Sequence, residues 1–176
     1  MLKLLLLDAD VIIIAHELDV WDQLVEKCSI SVTETIIKEA DYWCDHKGEQ
    51  HIIDLESYVR KGQIDAISVE LSKVRRFRQR FTPVYLENMD PGESETLAFI
   101  DSSDDTWRYC SGDAIVYKVL GCLAKGDQGI SLEEVLSQCG TGLSSGKHLA
   151  HLTKAYRETQ TRQGQRDGIT GMGLTR

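Results

Sequence analysis

The sequence predicts an α/β fold, a three-layer α/β/α domain around a central, mostly parallel sheet, followed by a helical C-terminal extension. Three observations point there. Leu2 to Leu7 is an almost wholly apolar run that stops at Asp8, as a parallel strand covered on both faces does. Short strand-like runs recur at Ser29 to Val32, Ile64 to Val69 and Trp107 to Cys110. The segments between them carry apolar residues at three- and four-residue spacing, so strands and helices alternate as in βαβ units.

Taken in order, Val11 to Leu18 and Val20 to Lys27 read as helices after the first strand. Thr33 stands where a cap would start a helix running through Ile36, Ile37 and Ala40. Asp41 to Gln50 is polar and contains Gly48, which predicts a loop, and the apolar pair Ile52-Ile53 follows. Ser72 to Phe81 predicts a helix carrying Lys73, Arg75, Arg76, Arg78 and Arg80, with Phe77 and Phe81 at core spacing. Asn88 to Gly92 predicts a turn, with a helix from Glu93 to Ile100. After the strand ending at Cys110, Asp113 opens a helix through Val116, Val119, Leu120 and Leu123.

The strand–helix rhythm changes beyond Gly126. The sequence therefore divides into a domain over residues 1–125 and an extension over 126–176. Ser131 and Glu134 match a capping box at the head of a helix to Cys139. Gly140 to Gly146 predicts a turn, and His148 to Arg162 a last helix with His148 and His151 on its surface. The tail from Gln163 is rich in Gly, Gln and Arg. It reads as disordered, or as held against the body by a partner.

Composition narrows the function classes. The chain has 176 residues, 41% of them hydrophobic and 27% charged, enough to bury a core. Its net charge of -8 argues against non-specific coating of nucleic acid, which relies on Lys and Arg displacing counterions. Cys28, Cys44, Cys110, Cys122 and Cys139 are odd in number and form no C-x-x-C pair, so the expectation is free thiols in a cytoplasmic protein. The apolar start is broken by Asp8 and Asp10 and lacks a small-residue cleavage site, unlike a signal peptide. No run reaches the length of a membrane span.

The acids carry the chemistry. Asp8 ends an apolar strand, Glu39 lies in an amphipathic helix, Glu93 and Glu95 open a helix, and Asp113 follows a strand. In open α/β sheets ligands bind beyond the carboxyl ends of the strands, where Asp8 and Asp113 fall. Converging carboxylates repel unless they protonate or share a cation, and Mg²⁺ or Mn²⁺ suits an all-oxygen set. Singly, each of these acids also reads as a helix cap or a solvated helix residue.

Four segments resemble the PIN-domain nucleases: LLLLDAD at Leu4 to Asp10, TETIIKEA at Thr33 to Ala40, DPGESETLAFI at Asp90 to Ile100, and CSGDA at Cys110 to Ala114. The resemblance implies a metal-dependent endoribonuclease. Asp8, Glu39, Glu93 and Asp113 would hold Mg²⁺ or Mn²⁺, with Glu95 competing for the third place. Ser111 would position a water or a substrate phosphate. Many members are toxins of toxin–antitoxin pairs, which implies RNA as substrate, a small antitoxin protein as partner and a homodimer. Where Asp10 stands, the family usually has Ser, Thr or Asn, and Asp10 reads as a cap or as a residue behind the ligands. The region from Gly126 onward has no counterpart in the family.

Other readings stand beside this one. Arg75, Arg76, Arg78 and Arg80 form either a solvated face or an RNA-backbone contact. Cys44, His46 and His51 match no common zinc spacing. D-x-D after an apolar strand also resembles the haloacid-dehalogenase-like phosphatases, with Asp8 as nucleophile and Asp10 as acid/base; Gly112-Asp113 supplies only half of their later acid pair. A PIN-like fold that binds RNA or protein without cutting is the third reading.

Overall fold

The computed structural model describes residues 2–143 and 147–175. Its centre is a five-stranded sheet in the order β5-β2-β1-β6-β7, every pairing parallel. The strands are β1 (Leu2–Leu7), β2 (Cys28–Thr33), β5 (Asp65–Ile67), β6 (Arg108–Cys110) and β7 (Gly129–Ile130). Leu5 and Leu7 enter the core on one face, and Leu6 enters a second core on the other. A strand sandwiched in this way needs apolar residues at consecutive positions, which explains the run before Asp8.

Helices cover both faces. On the first lie α1 (Ala9–Glu17), α2 (Trp21–Lys27), α3 (Glu34–Glu39) and α9 (Leu132–Gln138), which contribute Ile12, Leu24, Ile36 and Val135. On the second lie α5 (Leu71–Arg78), α7 (Pro91–Ser102) and α8 (Ala114–Cys122), through Phe77, Leu97 and Val116. Two short helices, α4 (Leu55–Arg60) and α6 (Pro83–Leu86), fill the connections. The architecture is thus mixed α/β in three layers. Among the described residues no helix is long and apolar enough to cross a membrane, and all five cysteines are free.

Three segments differ from the sequence reading. Asp41 to Gln50 is not a plain loop: β3 (Tyr42–Cys44) and β4 (Gln50–Ile52) form an antiparallel hairpin closed at Gly48, which takes a φ of 81°. The helix expected from Glu93 starts at Pro91, because Asp90 and Glu93 form a capping box with Pro in the first turn. The segment from Gly126 is not an appendage, since β7 joins the main sheet beside β6.

The tail is the largest difference. It is helical as α10 (Lys154–Thr170), which packs against α8 of its own chain. Its end returns to the body: the Thr82 amide donates to Gly173 O at 3.1 Å and the Thr175 amide to Arg80 O at 2.9 Å. The glycines that look flexible in the sequence are what allows this packing. A Cβ on Gly164 would lie 2.0 Å from Lys118 O, and one on Gly121 would lie 2.3 Å from Thr161 O.

In an exposed helix, Gly→Ala stabilises by about 1 kcal/mol. Gly164→Ala is instead expected to cost about 2–3 kcal/mol, because the clash is with backbone and α10 must move off α8. Urea unfolding of the variant beside the parent decides the sign.

Candidate metal centre

The sheet order puts β2 on one side of β1 and β6 on the other. The crevice beyond β1 and β6 is therefore a topological switch point, where open sheets bind ligands. Asp8 follows β1 directly, and its amide donates to Cys110 O at 3.0 Å. Its carboxylate is buried, accepting from the Ala9 amide at 3.0 Å and from the Ser111 hydroxyl at 2.6 Å. The Ser111 hydroxyl in turn accepts from the Asp113 amide at 2.9 Å. Ser111 is 0% exposed, and its hydroxyl is engaged by Asp8 and the Asp113 amide.

Glu93 reaches the same crevice from the first turn of α7. One carboxylate oxygen, Oε2, accepts from the Asp90 amide at 3.0 Å. The other, Oε1, is buried with no partner although Glu93 is only 1% exposed. A buried carboxylate oxygen without a donor is costly unless something else satisfies it. Oxygens of Asp8, Glu93 and Asp113 all lie within 4.8 Å of one another. Asp113 is exposed and makes no cap bond to the helix it precedes, so simple capping does not explain it.

The competition between Glu93 and Glu95 has a geometric answer. Glu95 Oε2 accepts from the Thr35 amide at 3.1 Å and so caps α3 from outside. Thr33, which stands at the cap position, makes no cap bond; its hydroxyl lies 3.4 Å from that of Thr96. Glu39 is outside the three-oxygen group as well. Its Oε2 lies against Gly92, and its carboxylate feels the charges of Asp90 and Glu95. Glu39 therefore borders the crevice at the head of α7.

Two acids that the sequence reading kept in the background are also here. Asp10 accepts from the amides of Val11 and Gly112 and faces Asp113 and Asp90. Asp90 caps α7 through the Glu93 amide at 2.7 Å and acts electrostatically on Asp8, Asp10, Glu39 and Glu93. The D-P-G-E run at Asp90 could have revealed it, as an N-cap acid three residues before Glu93.

Crowding shifts their protonation. Burial, then the charge of Asp10, holds Asp8 well above its ordinary 3.8, against the opposing Ser111 bond. Burial and then Asp113 push Asp10 to about 7. Burial, then Asp8 and Asp90, push Glu93 to about 9. Glu39 is raised by desolvation of its carboxyl and then by Asp90. Among the described residues no Lys or Arg pairs with any of Asp8, Asp10, Glu39, Asp90, Glu93 or Asp113. An uncompensated set of hard oxygens fits a divalent cation of the Mg²⁺ or Mn²⁺ type.

The four arginines of the basic stretch divide into two pairs. Arg78 is taken up by the protein, donating to Met89 O at 3.1 Å and to the Ser94 hydroxyl, which ties α5 to the head of α7. Arg80 pairs with Asp101. Arg75 and Arg76 are exposed, with no ion pair among the described residues. Phe77 and Phe81 are core residues, with ring centroids 5.0 Å apart.

Cys44, His46 and His51, which match no common zinc spacing, do not meet as one ligand group; His51 alone of them lies with possible ligands, Asp45 and Glu49 on the hairpin. A cavity of 720 Å³ lies nearby, at the far end of α1, lined by His16, Trp21, Trp43 and Tyr58 and holding none of the switch-point acids. In comparisons with known proteins, no family model, curated protein or solved structure matches this chain.

Proposed function

We propose that this protein is a metal-dependent endoribonuclease of the PIN type. The observation that carries the reading is the meeting of Asp8, Glu93 and Asp113 at the switch point, with Glu93 Oε1 buried and unpartnered. Those three residues would hold Mg²⁺ or Mn²⁺, with Asp10, Asp90 and Glu39 around them. The cation would lower the pKa of a bound water and neutralise charge on the phosphodiester.

The chain's own residues do the rest. Ser111 fixes Asp8, and the Asp90 amide fixes Glu93 with its second oxygen left free. Gly92 leaves room for the Glu39 carboxylate, since a Cβ there would lie 2.3 Å from Glu39 Oε2. Arg75 and Arg76 stand exposed on α5, which packs against α7, and offer phosphate contacts along that flank, with Arg76 near Asp101 and Ser102 at the far end of α7. The phosphatase alternative fares less well, because that chemistry needs a Lys beside the nucleophilic Asp. Among the described residues no Lys pairs with Asp8.

The test uses single-stranded RNA and a generic phosphomonoester side by side, each with Mn²⁺, Mg²⁺ or EDTA. RNA cleavage that needs the cation, without phosphomonoester hydrolysis, is the expected result. Hydrolysis of the phosphomonoester alone overturns the nuclease reading. Arg75→Ala with Arg76→Ala is expected to weaken RNA binding and to flatten its log–log salt dependence by roughly 0.7 for each phosphate no longer neutralised. Fluorescence anisotropy across a salt series measures this. A homodimer and a small antitoxin protein that blocks the crevice belong to the same proposal.

A further inference from the structure

We propose that the C-terminal segment completes this site, with His151 and Tyr156 contacting the phosphate of the bound nucleic acid. The inference rests on reading the crevice as a phosphodiester site, and it gives the segment beyond Gly126 a function.

Gly112 carries the first observation. A Cβ built on it would lie 2.1 Å from Asp10 Oδ2 and 2.7 Å from His151 Cδ2. Both side chains therefore converge on one point, and the imidazole edge is a neighbour of the Asp10 carboxylate. The sequence reading put His148 and His151 on the surface of a helix. His151 is instead half-buried on a 3-10 turn against the crevice, and the side chain of His148 lies outside the described residues. His151 is not part of the three-oxygen group, so it stands at the rim rather than among the cation ligands.

Tyr156 supplies the second observation. Burial raises its phenol, and the next causes are the charges of Asp113 and Asp10. Geometry agrees: α10 runs alongside α8 with Gly164 against Lys118 and Gly168 against Cys122, so Tyr156, about two turns before Gly164, stands level with the start of α8 at Asp113.

The wall that holds these two residues is firmly anchored. Leu149 and Leu152 flank His151 and are buried in the core. Arg157 donates to both oxygens of Glu134, at 2.8 and 3.0 Å, and Glu134 also accepts from the Ser131 amide at 3.0 Å. The Lys154 amide donates to Glu133 at 2.7 Å. The head of α10 is thus tied to α9 by three hydrogen bonds, two from Arg157 and one from the Lys154 amide. Such an anchored wall can set a phosphate-binding distance.

Electrostatics explains why these residue types stand here. A phosphodiester entering a crevice of carboxylates is repelled and needs donors at the rim. A Lys or Arg within reach would be captured by the acids and would compete with the cation. Arg157 is consumed by Glu134. The imidazole of His151 and the phenol of Tyr156 each offer an N–H or O–H that can donate to phosphate.

The experiment compares His151→Ala, His151→Gln and Tyr156→Phe with the parent protein. Binding of a fluorescent oligoribonucleotide is read by anisotropy in Ca²⁺, Mn²⁺ affinity by calorimetry, and cleavage in Mn²⁺. His151→Ala should weaken RNA binding and raise KM about tenfold, the loss of one hydrogen bond to a charged group. Mn²⁺ affinity should be unchanged, and His151→Gln should recover most of the binding because its amide donates from a similar position. If His151→Ala unfolds, Tyr156→Phe carries the test with the same expected split. Parent-like RNA affinity in both His151→Ala and Tyr156→Phe overturns the inference, as does an equal loss of Mn²⁺ affinity. A parent protein that neither binds nor cleaves RNA with any cation overturns the nuclease reading itself.

Discussion

Asp8→Asn leaves the fold intact and removes cation-dependent RNA cleavage, by a factor on the order of 10³ or more. An Asn carbonyl can still accept from the Ala9 amide or from the Ser111 hydroxyl, so local geometry survives. What is lost is one negative charge from a group of three carboxylates whose oxygens lie within 4.8 Å of one another. An amide nitrogen pointed at a cation repels it. Meanwhile the substitution relieves the burial and like-charge repulsion that hold Asp8 above its ordinary value. The metal-free variant should therefore be at least as stable as the parent while binding Mn²⁺ much more weakly. That pairing of gained stability with lost function marks a site residue, because a purely structural carboxylate would lose stability on substitution. Cleavage assays, calorimetry and thermal unfolding together decide it; parent-like cleavage by a purified, folded Asp8→Asn protein defeats the mechanism.

Much of this was legible in the chain because strand ends announce themselves. The apolar run into Asp8 and the short strand into Ser111 and Asp113 place three residues of the candidate site without tertiary knowledge. The choice between Glu93 and Glu95 was not legible, since it depends on the Thr35 amide, 60 residues away in sequence, engaging Glu95. In sequence Arg78 is indistinguishable from its basic neighbours; in the fold the carbonyl of Met89 and the hydroxyl of Ser94 accept from it. Gly164 and Gly168 suggested flexibility because composition cannot distinguish a glycine that bends from one that admits a neighbouring helix. His151 could not be found by pattern at all. Its relation to Asp10 runs through Gly112, and only the packing of the last third of the chain creates it.

The second large effect is on stability against pH in the absence of metal. Glu93 moves from an ordinary 4.5 to about 9 on folding, and Asp10 from 3.8 to about 7. Raised acids hold their protons in the native state after the unfolded chain has released them. Native protein then binds more protons than unfolded, so stability falls as pH rises through the interval between the two values. For Glu93 that interval is 4.5 to about 9, and for Asp10 it is 3.8 to about 7. Each group costs about 1.4 kcal/mol per pH unit inside its interval. Glu134 has the opposite sign. Burial alone would raise it, but the Arg157 and Ser131 bonds outweigh burial and hold it low, so its contribution is lost only in acid, below this window. Urea unfolding in EDTA at pH 6 to 9 should show a steady decline, and Glu93→Gln should flatten it above pH 7. A cation removes the same penalty by taking the place of the protons. At about one hundred times its dissociation constant, Mn²⁺ should restore about 2.7 kcal/mol, with a larger apparent effect at high pH, where fewer protons must be displaced. Glu93→Gln should lose most of that gain, because the substitution supplies an amide where the unpartnered Oε1 stands. A flat pH profile in EDTA together with no stabilisation by Mn²⁺ would mean that the carboxylates neither repel one another nor share a cation, and the metal centre would have to be abandoned.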